Sequence, residues 1–532
     1  MKFLPERKIG ITVGACIAVA ALALAPASSG GQTRASAGVL NVNVAQAAAT
    51  IDPSAAVDVG DWSMANNLYV RLMQFAPKPG PKGTKQWDPA RPIPYLAKSV
   101  AVNKRATQYT FTLRPAKFPD GTPIDAAAVK YSLERALTEN AVAGFVITDG
   151  VPGLYKSIKV LAPDKLQINL SQPHIGILKN LAAPVAGIVE KKIVDEHGGV
   201  KKNTTNKYFA THVAGGGGPF ILESYTPGVS AVLKANPTYF DKQPASQQIN
   251  MRFISSDVTL SLQARSGQAD VTLGISKQAA ASLKSVPNVR VIAVDSDELR
   301  RATFVDTTPP LDNKTFREAL TYAVPYRQIL QKVAYGFGKL IYSPFATTLP
   351  GWNPALGKPR TFNLAKAKQL LAKSGVSLPV TLKYTVATDD PADVQIATIL
   401  QSTWKPLGVN VELAKISRAA WGTAIYKRDS PVIGGYNSPG VWDPLYSWGY
   451  DVICHHQFNA SNICLPAGDA LYKKARVATT KAALSAALNG MVRAYNAASP
   501  LIVLYQAQEV SVIGPKVKSY LASRSWDMRT WG

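Results

Sequence analysis

Residues 109–137 have the sequence YTFTLRPAKFPDGTPIDAAAVKYSLERAL, and three local patterns within them decide the fold. Tyr109, Phe111 and Leu113 alternate with polar residues, which is the period of two that predicts a half-buried strand. A Pro-Asp-Gly turn follows at residues 119–121, where proline presets φ and glycine permits a sharp exit. The stretch therefore begins with a strand that leaves its sheet through a tight turn.

The second half of this stretch predicts a capped helix. Thr122 can cap the helix, Pro123 suits its first position, and Asp125 faces the positive end of its dipole. Apolar residues then recur at helical spacing and form one buried stripe, namely Ala126, Val129, Leu133 and Ala136. A strand, a tight turn and a capped helix make up a unit that many α/β proteins contain.

Periodicity predicts further elements along the chain. Residues 64–75 have the pattern of a helix. Residues 380–386 alternate as a strand, and residues 396–407 form a helix that stops at Gly408. Residues 409–413 form the next strand. A strand–helix–strand order with glycine at the helix end indicates a parallel α/β lobe.

Composition places the chain among globular proteins with more than one domain. Its 532 residues suffice for two or three sizeable cores, and 46% of them are hydrophobic against 17% charged. The 59 Lys and Arg residues exceed the 34 Asp and Glu residues by 25. Such a charge favours an anionic envelope surface or an acidic ligand, although scattered, solvated lysines are the simpler explanation. No block of basic residues alternates with aromatics, so we expect no nucleic-acid partner.

The N-terminus has the pattern of a secretory signal peptide. Three basic residues precede an almost unbroken apolar run from Ile9 to Ala25, and small residues at 25–27 suit a cleavage site. We therefore expect residues 1–27 to be a signal peptide and the mature protein to be extracytoplasmic, in the periplasm or cell envelope. A retained membrane anchor is the alternative. Lipidation at Cys16 is not expected, because apolar sequence continues well beyond it.

Two cysteines remain once the signal is removed. In an oxidising compartment Cys454 and Cys464, ten positions apart, most simply form a disulfide. His455 and His456 next to the first cysteine invite a metal interpretation. Their spacing matches no standard zinc pattern, so we expect neither a metal nor another cofactor.

The amino-acid sequence of residues 109–137 resembles the signature of the family 5 extracytoplasmic solute-binding proteins. These are the dipeptide, oligopeptide and nickel receptors of ABC importers. Other motifs follow in the family's order: the glycine run at 214–220, Gly-Gln-Ala-Asp at 267–270, and Phe-Arg-Glu-Ala-Leu-Thr-Tyr-Ala-Val at 316–324. No single motif is specific, but together they cover essentially the whole mature chain.

The resemblance implies an α/β, bilobal fold of the periplasmic-binding-protein type II kind with an extra small outer domain. Lobe I is expected to be discontinuous, with residues 38–75, 186–304 and 498–532. Residues 76–185 are expected to form the small outer domain, and residues 305–497 to form lobe II. A ligand would bind in the cleft between the lobes, which close around it.

The resemblance also locates a candidate ligand segment. Residues 434–444, GGYNSPGVWDP, resemble the family's Gly-Trp-x-Ala-Asp-Tyr-x-Asp-Pro, whose first aspartate pairs with the ligand's ammonium group in peptide receptors. The aligned places here hold Asn437, Ser438 and Pro439, and only Asp443 with its proline matches the second Asp-Pro. A neutral side chain cannot supply the same charge-assisted bond, so recognition of a free amino terminus requires Asp443 or another acid.

Aromatic residues crowd this segment and its surroundings. They offer flat apolar surface with polar tips, which suits peptide side chains or sugar rings, although each of them could instead belong to the core. A helix cap is the alternative role for Asp443. The predicted ligand-binding residues are Tyr436, Asn437, Trp442, Asp443, Tyr446 and Trp448, with Trp62 and Tyr69 on the facing wall.

The resemblance implies a monomeric receptor that captures a small solute, above all a peptide, and delivers it to a membrane-embedded ABC permease. A non-peptide ligand such as a sugar, a metal chelate or another small molecule is one alternative. A secreted hydrolase is another, but residues 228–232 lack the second glycine of a nucleophile elbow and no His-Glu-x-x-His occurs. A sensory or adhesive receptor with the same fold is the third.

Overall fold

A computed structural model of the protein describes residues 38–438 and 442–532, so the predicted signal peptide and Cys16 lie outside the described residues. The strands are β1 (Val39–Val44), β2 (Met73–Pro79), β3 (Lys85–Pro94), β4 (Ala97–Val102), β5 (Gln108–Leu113), β6 (Tyr155–Ala162), β7 (Lys165–Leu170), β8 (Phe220–Thr226), β9 (Ser230–Ala235), β10 (Gln248–Phe253), β11 (Val271–Leu273), β12 (Arg290–Phe304), β13 (Gly338–Lys339), β14 (Val380–Ala387), β15 (Val409–Ile416), β16 (Val432–Asn437), β17 (Leu501–Ile513) and β18 (Leu521–Ala522).

The helices are α1 (Val59–Leu68), α2 (Ala126–Glu139), α3 (Ala141–Thr148), α4 (Ile177–Asn180), α5 (Lys191–Glu196), α6 (Asp257–Ser266), α7 (Lys277–Ser282), α8 (Lys314–Tyr322), α9 (Tyr326–Lys332), α10 (Leu364–Ser374), α11 (Pro391–Trp404), α12 (Arg418–Lys427), α13 (Pro444–Asp451), α14 (Pro466–Arg476) and α15 (Lys481–Ala498). Within the described part of the chain, none of these helices combines the length and apolar character that crossing a membrane requires.

The main sheet is continuous, and its order is β15-β14-β16-β12-β17-β11-β1-β10-β9-β8. Its two longest strands, β12 and β17, pair antiparallel in the middle. On one side β17 pairs with β11, and on the other β12 pairs with β16. The two strands therefore carry the chain between the two halves of the molecule.

The half beyond β12 has the predicted parallel lobe. β14 pairs in parallel with β15 along its whole length, and α11 connects the two strands. Gly408 ends this connection with φ of 79°, a conformation that glycine adopts without steric cost. Trp404 at the end of α11 is wholly buried. The strand–helix–strand prediction is confirmed.

Residues 109–113 lie in β5, a strand of the four-stranded outer sheet, whose order is β4-β5-β7-β6. Tyr109, Phe111 and Leu113 of β5 are at most 4% exposed, so the alternation is confirmed. The helix begins later than predicted, because Asp125 and not Thr122 is its N-cap, accepting a hydrogen bond from the Ala128 N–H at 2.9 Å. Thr122 is instead held in the turn by its bonds to Asp120.

The helix predicted over residues 64–75 is also wrong in its bounds. α1 begins at Val59 and ends at Leu68, and Met73 already opens β2. The carbonyl of Leu68 accepts hydrogen bonds from Gly217 and Gly218 at 3.2 and 3.0 Å. A side chain at Gly218 would meet the Leu68 backbone at 2.5 Å, so the glycine run packs directly against the helix end. This distant contact ends the helix, and periodicity along residues 64–75 alone gives no sign of it.

A buried ion cluster joins α2 to the turn after β1. The guanidinium of Arg135 binds both carboxylate oxygens of Asp52 at 2.9 and 2.5 Å, and it lies 2.9 Å from Glu139. Ser54 donates a hydrogen bond to Glu139 at 2.8 Å. Every side chain in the cluster is at most 2% exposed, so each charge depends on the others for its stabilisation.

We predict that Arg135→Leu lowers the free energy of unfolding by about 3–5 kcal/mol, because it leaves two buried carboxylates without their cation. Equilibrium denaturation measures the loss. Lys130→Leu on the same helix is the control, since its ion pair with Glu134 is exposed and contributes within ~0.5 kcal/mol. Equal stability of Arg135→Leu and the wild type would contradict the role of the cluster.

The predicted disulfide between Cys454 and Cys464 is confirmed, with the two Cα atoms 4.4 Å apart. The N–H of Cys454 donates to Asp469 at 3.0 Å, and Asp469 also accepts from the indole of Trp448 at 3.2 Å. The disulfide loop is therefore tied to α14 and to the core of the second half.

Replacing both cysteines by serine is expected to lower the free energy of unfolding by roughly 2–3 kcal/mol, since the bridge restricts the unfolded chain. Thermal unfolding with and without reductant gives the internal control. Reductant should lower the midpoint of the wild type and leave the double variant unchanged. A wild-type midpoint that does not respond to full reduction would refute the stabilising role.

Candidate functional site

Aromatic side chains from both halves of the molecule meet around a narrow cavity of about 30 Å³, which we call the aromatic cavity. Trp62 of α1, Phe75 of β2 and Trp87 of β3 come from the first half, and Trp442 comes from the turn before α13. The Phe75 and Trp442 rings are 4.9 Å apart, and Trp87 and Trp442 are 6.1 Å apart in an edge-on arrangement. Flat rings at these spacings form a wall that suits an apolar or aromatic group of a ligand.

A second narrow cavity, also of about 30 Å³, lies next to the crossing strands β12 and β17, and we call it the hinge cavity. It shares Trp87, Trp442 and Arg524 with the aromatic cavity. Asp295 of β12 and Glu509 of β17 also line it. The two cavities are therefore neighbouring compartments, one mainly aromatic and the other charged.

Two carboxyl groups, the buried Asp297 and the partly buried Glu509, dominate the electrostatics beside the hinge cavity. Asp297 is 1% exposed and contacts the Arg524 guanidinium at 3.0 and 3.1 Å. Burial raises the pKa of Asp297 to about 6, and the arginine opposes that shift. Burial likewise raises the pKa of Glu509 to about 7. Two acids that ionise near neutral pH thus lie at the junction of the crossing strands.

These acids stand close to the segment where the family's first aspartate is missing. The Ser438 hydroxyl lies 3.5 Å from Asp297, and Arg524 donates to the Ser438 carbonyl at 3.4 Å. The Arg524 guanidinium also lies over the Trp62 ring, 5.0 Å from its centre. Sequence reasoning missed Asp297 and Glu509, because no local pattern connects either of them to residues 434–444.

Three of the predicted residues line a third cavity of about 300 Å³, the tyrosine cavity. Tyr436 is 40% exposed there, and Asn437 and Tyr446 line the same space. Tyr446 also packs edge-on against Phe145 of α3, with ring centres 5.1 Å apart. Trp62 and Trp442, in contrast, line the aromatic cavity. The structure thus divides five of the eight predicted residues between two cavities.

The remaining predicted residues have structural partners. Asp443 caps α13 by accepting from the Leu445 N–H at 2.8 Å, and its carboxylate lies 3.8 Å from the Lys179 ammonium. Trp448 is wholly buried in the core of the second half. Tyr69 is also wholly buried, and its hydroxyl accepts from the Ala214 N–H at 3.0 Å. Neither Trp448 nor Tyr69 reaches the three cavities.

Comparison with known proteins agrees with this architecture. Residues 91–457 match the family described as bacterial extracellular solute-binding proteins, family 5. The chain belongs to this family. The resemblance found in the sequence is thereby confirmed.

Individual relatives of this family 5 protein support the assignment. The probable D,D-dipeptide-binding periplasmic protein DdpA of Escherichia coli K12 is 28% identical over 431 residues, covering 80% of this chain and 79% of the relative. NikA of Brucella suis, solved with Fe(III)-EDTA, superimposes with a TM-score of 0.79 and 21% identity over 93% of this chain and 99% of that one. DppA of Helicobacter pylori, solved with the peptide STSA, gives 0.75 and 20% over 93% and 98%. The two structures confirm the predicted type II binding-protein fold.

The raised pKa of Glu509 gives a pH-dependent prediction for Glu509→Gln. The folded protein keeps a proton that the unfolded chain releases between about pH 4.5 and 7, so the carboxyl costs stability as pH rises through that window. At about pH 8 the variant is expected to exceed the wild type by on the order of 2 kcal/mol, from about 1.36 kcal/mol per pKa unit and partial exposure. At about pH 4 the two proteins are expected to be equally stable.

Denaturant titration at both pH values measures this difference. Glu223→Gln, whose carboxylate is half-exposed and paired with Lys234, is the matched control with no expected pH dependence. A gain for Glu509→Gln of the same size at both pH values would show that Glu509 is not the titrating group.

Proposed function

We propose that this protein captures a peptide in the cleft between its halves and delivers it to a membrane-embedded ABC permease, without altering it. The observation that carries the proposal is the aromatic wall closed by Trp442 from one half against Phe75 and Trp87 from the other. Membership of family 5 and the dipeptide-binding name of the relative in Escherichia coli support the peptide as ligand.

The proposed division keeps the predicted boundaries. Lobe I comprises residues 38–75, 186–304 and 498–532, the small outer domain residues 76–185, and lobe II residues 305–497. The outer sheet falls wholly within the proposed outer domain, whereas β3 pairs on one side with β2, which crosses the boundary at residues 75 and 76, and on the other with β18 of lobe I. On this division the aromatic cavity lies between lobe II and the rest of the molecule, as closure around a ligand requires.

The ammonium group of a peptide is proposed to bind beside Asp297 and Glu509. Glu509 is the better placed of the acids, because Asp297 is already paired with Arg524 and Asp443 already caps α13 and faces Lys179. Asp297 lies against Ser438, close to the place of the missing aspartate, and Glu509 lines the hinge cavity. An ionised carboxylate accepts a charge-assisted bond from an ammonium, and neutral Asn437 or Ser438 cannot replace it.

Trp442→Ala tests the proposed peptide site. Removing the ring takes away the surface that lobe II contributes to the aromatic wall, so we expect short peptides to bind at least about tenfold more weakly. Isothermal titration with peptides of varied sequence measures the affinity, and mass spectrometry of gently purified protein identifies the bound ligand. Phe362→Ala, which removes an exposed ring that lines none of the three cavities, is the control and is expected to bind as the wild type does.

The outcomes separate the proposed function from its alternatives. An intact peptide released from the purified protein supports capture without chemistry. If titration with a sugar or a metal chelate releases heat of binding and titration with peptides does not, that solute class is the ligand and the peptide proposal is wrong. Turnover of an added peptide into fragments would show a hydrolase.

A further inference from the structure

A fourth cavity, of about 640 Å³, has a lining of predominantly positive charge, and we call it the basic cavity. Arg91 and Lys179 line it from the side of β3 and α4, and Arg476 and Lys481 line it from α14 and α15. Asp443 is the acidic residue of the lining, and it already caps α13 and faces Lys179. The net charge of these five side chains favours an anion.

The backbone adds to this charge. α15 is 18 residues long, Thr480 is its N-cap, and its first residue, Lys481, lines the cavity together with Thr479 and Ser485. The first turn of a helix carries unsatisfied N–H groups and the positive end of the helix dipole. Anions bind at such positions for both reasons.

An independent observation comes from the opposite wall. His174 lines the cavity although it is only 2% exposed, and its Nε2 has no hydrogen-bond partner among the described residues. Its contact with Asp149 is long, at 3.8 Å. Burial lowers the pKa of His174 to about 4, so the ring is neutral at physiological pH. A buried ring nitrogen without a partner is costly, and an anionic oxygen in the cavity would accept a hydrogen bond from its N–H tautomer.

The groups that face His174 and Asp149 come from several elements. Arg476 of α14 donates to the Asp149 carboxyl and to its backbone carbonyl, both at 3.0 Å. Lys179 of α4 and Asp443 before α13 complete the surroundings. Burial, with Asp443 adding to it, raises the pKa of Asp149 well above its usual range. Asp149 lies against Arg476 as Asp443 lies against Lys179, so the excess positive charge of the lining comes from Arg91 and Lys481.

We propose that the basic cavity is an anion subsite that binds a carboxylate or phosphate group between Arg91 and Lys179 on one side and Arg476 and Lys481 on the other. An anion that contacts both walls would stabilise the arrangement in which they face each other. Lys179 lines both the basic and the aromatic cavity. The group therefore belongs either to the acidic end of the ligand in the cleft or to a free anion.

Two probes distinguish these sources. Inorganic phosphate, compared with sodium chloride at matched ionic strength, reports binding of a free anion through the thermal midpoint of the full mature chain. The peptide Ala-Trp-Ala and its carboxamide, compared by calorimetry, report the contribution of a ligand carboxylate. If the carboxylate occupies the cavity, the free acid binds roughly tenfold tighter than the carboxamide.

The matched variants carry equal changes in charge. Arg91→Gln with Lys481→Gln removes two exposed cations of the lining and is expected to weaken binding of the responding probe by roughly tenfold. Arg105→Gln with Lys473→Gln removes two exposed cations outside the cavity and is expected to change nothing. Because all four side chains are exposed, both double variants are expected to fold.

The results decide the inference independently of the peptide proposal. If phosphate stabilises the protein and no peptide binds, the anion subsite is supported and the proposal of a peptide ligand is rejected. If the free acid and the carboxamide bind equally well, and phosphate raises the thermal midpoint no more than chloride does, the peptide proposal stands and the anion subsite is overturned. If neither peptide binds, the comparison of thermal midpoints in phosphate and in chloride decides whether the subsite exists. An equal loss of probe affinity in both double variants would also overturn the subsite, because the overall positive charge of the protein would then explain the binding.

Discussion

The antiparallel ladder between β12 and β17 is the constraint on which the rest of the structure depends. It is the longest pairing in the main sheet, and it shifts register between Asp295 and Leu299. Where the ladder is interrupted, side chains form the hydrogen bonds between the two strands. The Ser296 hydroxyl donates to the Ala507 carbonyl at 2.8 Å, and the Gln506 amide donates to the Ser296 carbonyl at 2.6 Å. A bulge of this kind bends a strand and redirects a side chain, and here the interruption accompanies the burial of Asp297 against Arg524. The break in the ladder thus places a charged group next to the cavities.

This arrangement explains why local sequence predicts some parts of the molecule well. Alternation along β5 and the glycine after α11 are consequences of neighbours within a few residues, so residues 109–113 and Gly408 were predicted correctly. The end of α1 depends on Gly217 and Gly218, about 150 positions away along the chain, and the predicted helix over residues 64–75 therefore extended too far. The disulfide was predictable because compartment and cysteine number left a single pairing.

The candidate site was less predictable, since its members are brought together by tertiary packing. Trp442 and Trp448 are six residues apart in one aromatic segment, yet Trp442 precedes α13 and reaches a cavity while Trp448 lies on the buried face of that helix. Composition alone cannot distinguish them. Asp297 and Ser438 are 141 residues apart and meet only because β12 pairs with β16. Asp297 lies close to the position where the family's aspartate is absent, but aligning residues 434–444 alone cannot reveal it, because Asp297 belongs to a different strand.

Contacts across the proposed cleft suggest how a ligand controls closure. Arg476 reaches Asp149, Arg524 reaches the Ser438 carbonyl, and Lys179 faces Asp443. Burying charged groups costs desolvation that their mutual attraction only partly offsets, so pairs of this kind contribute little net free energy to closure. The aromatic contacts of Trp442 add a modest amount. A closed state held by such nearly balanced terms responds to a ligand that binds it selectively, because even a few kcal/mol of differential affinity shifts the population.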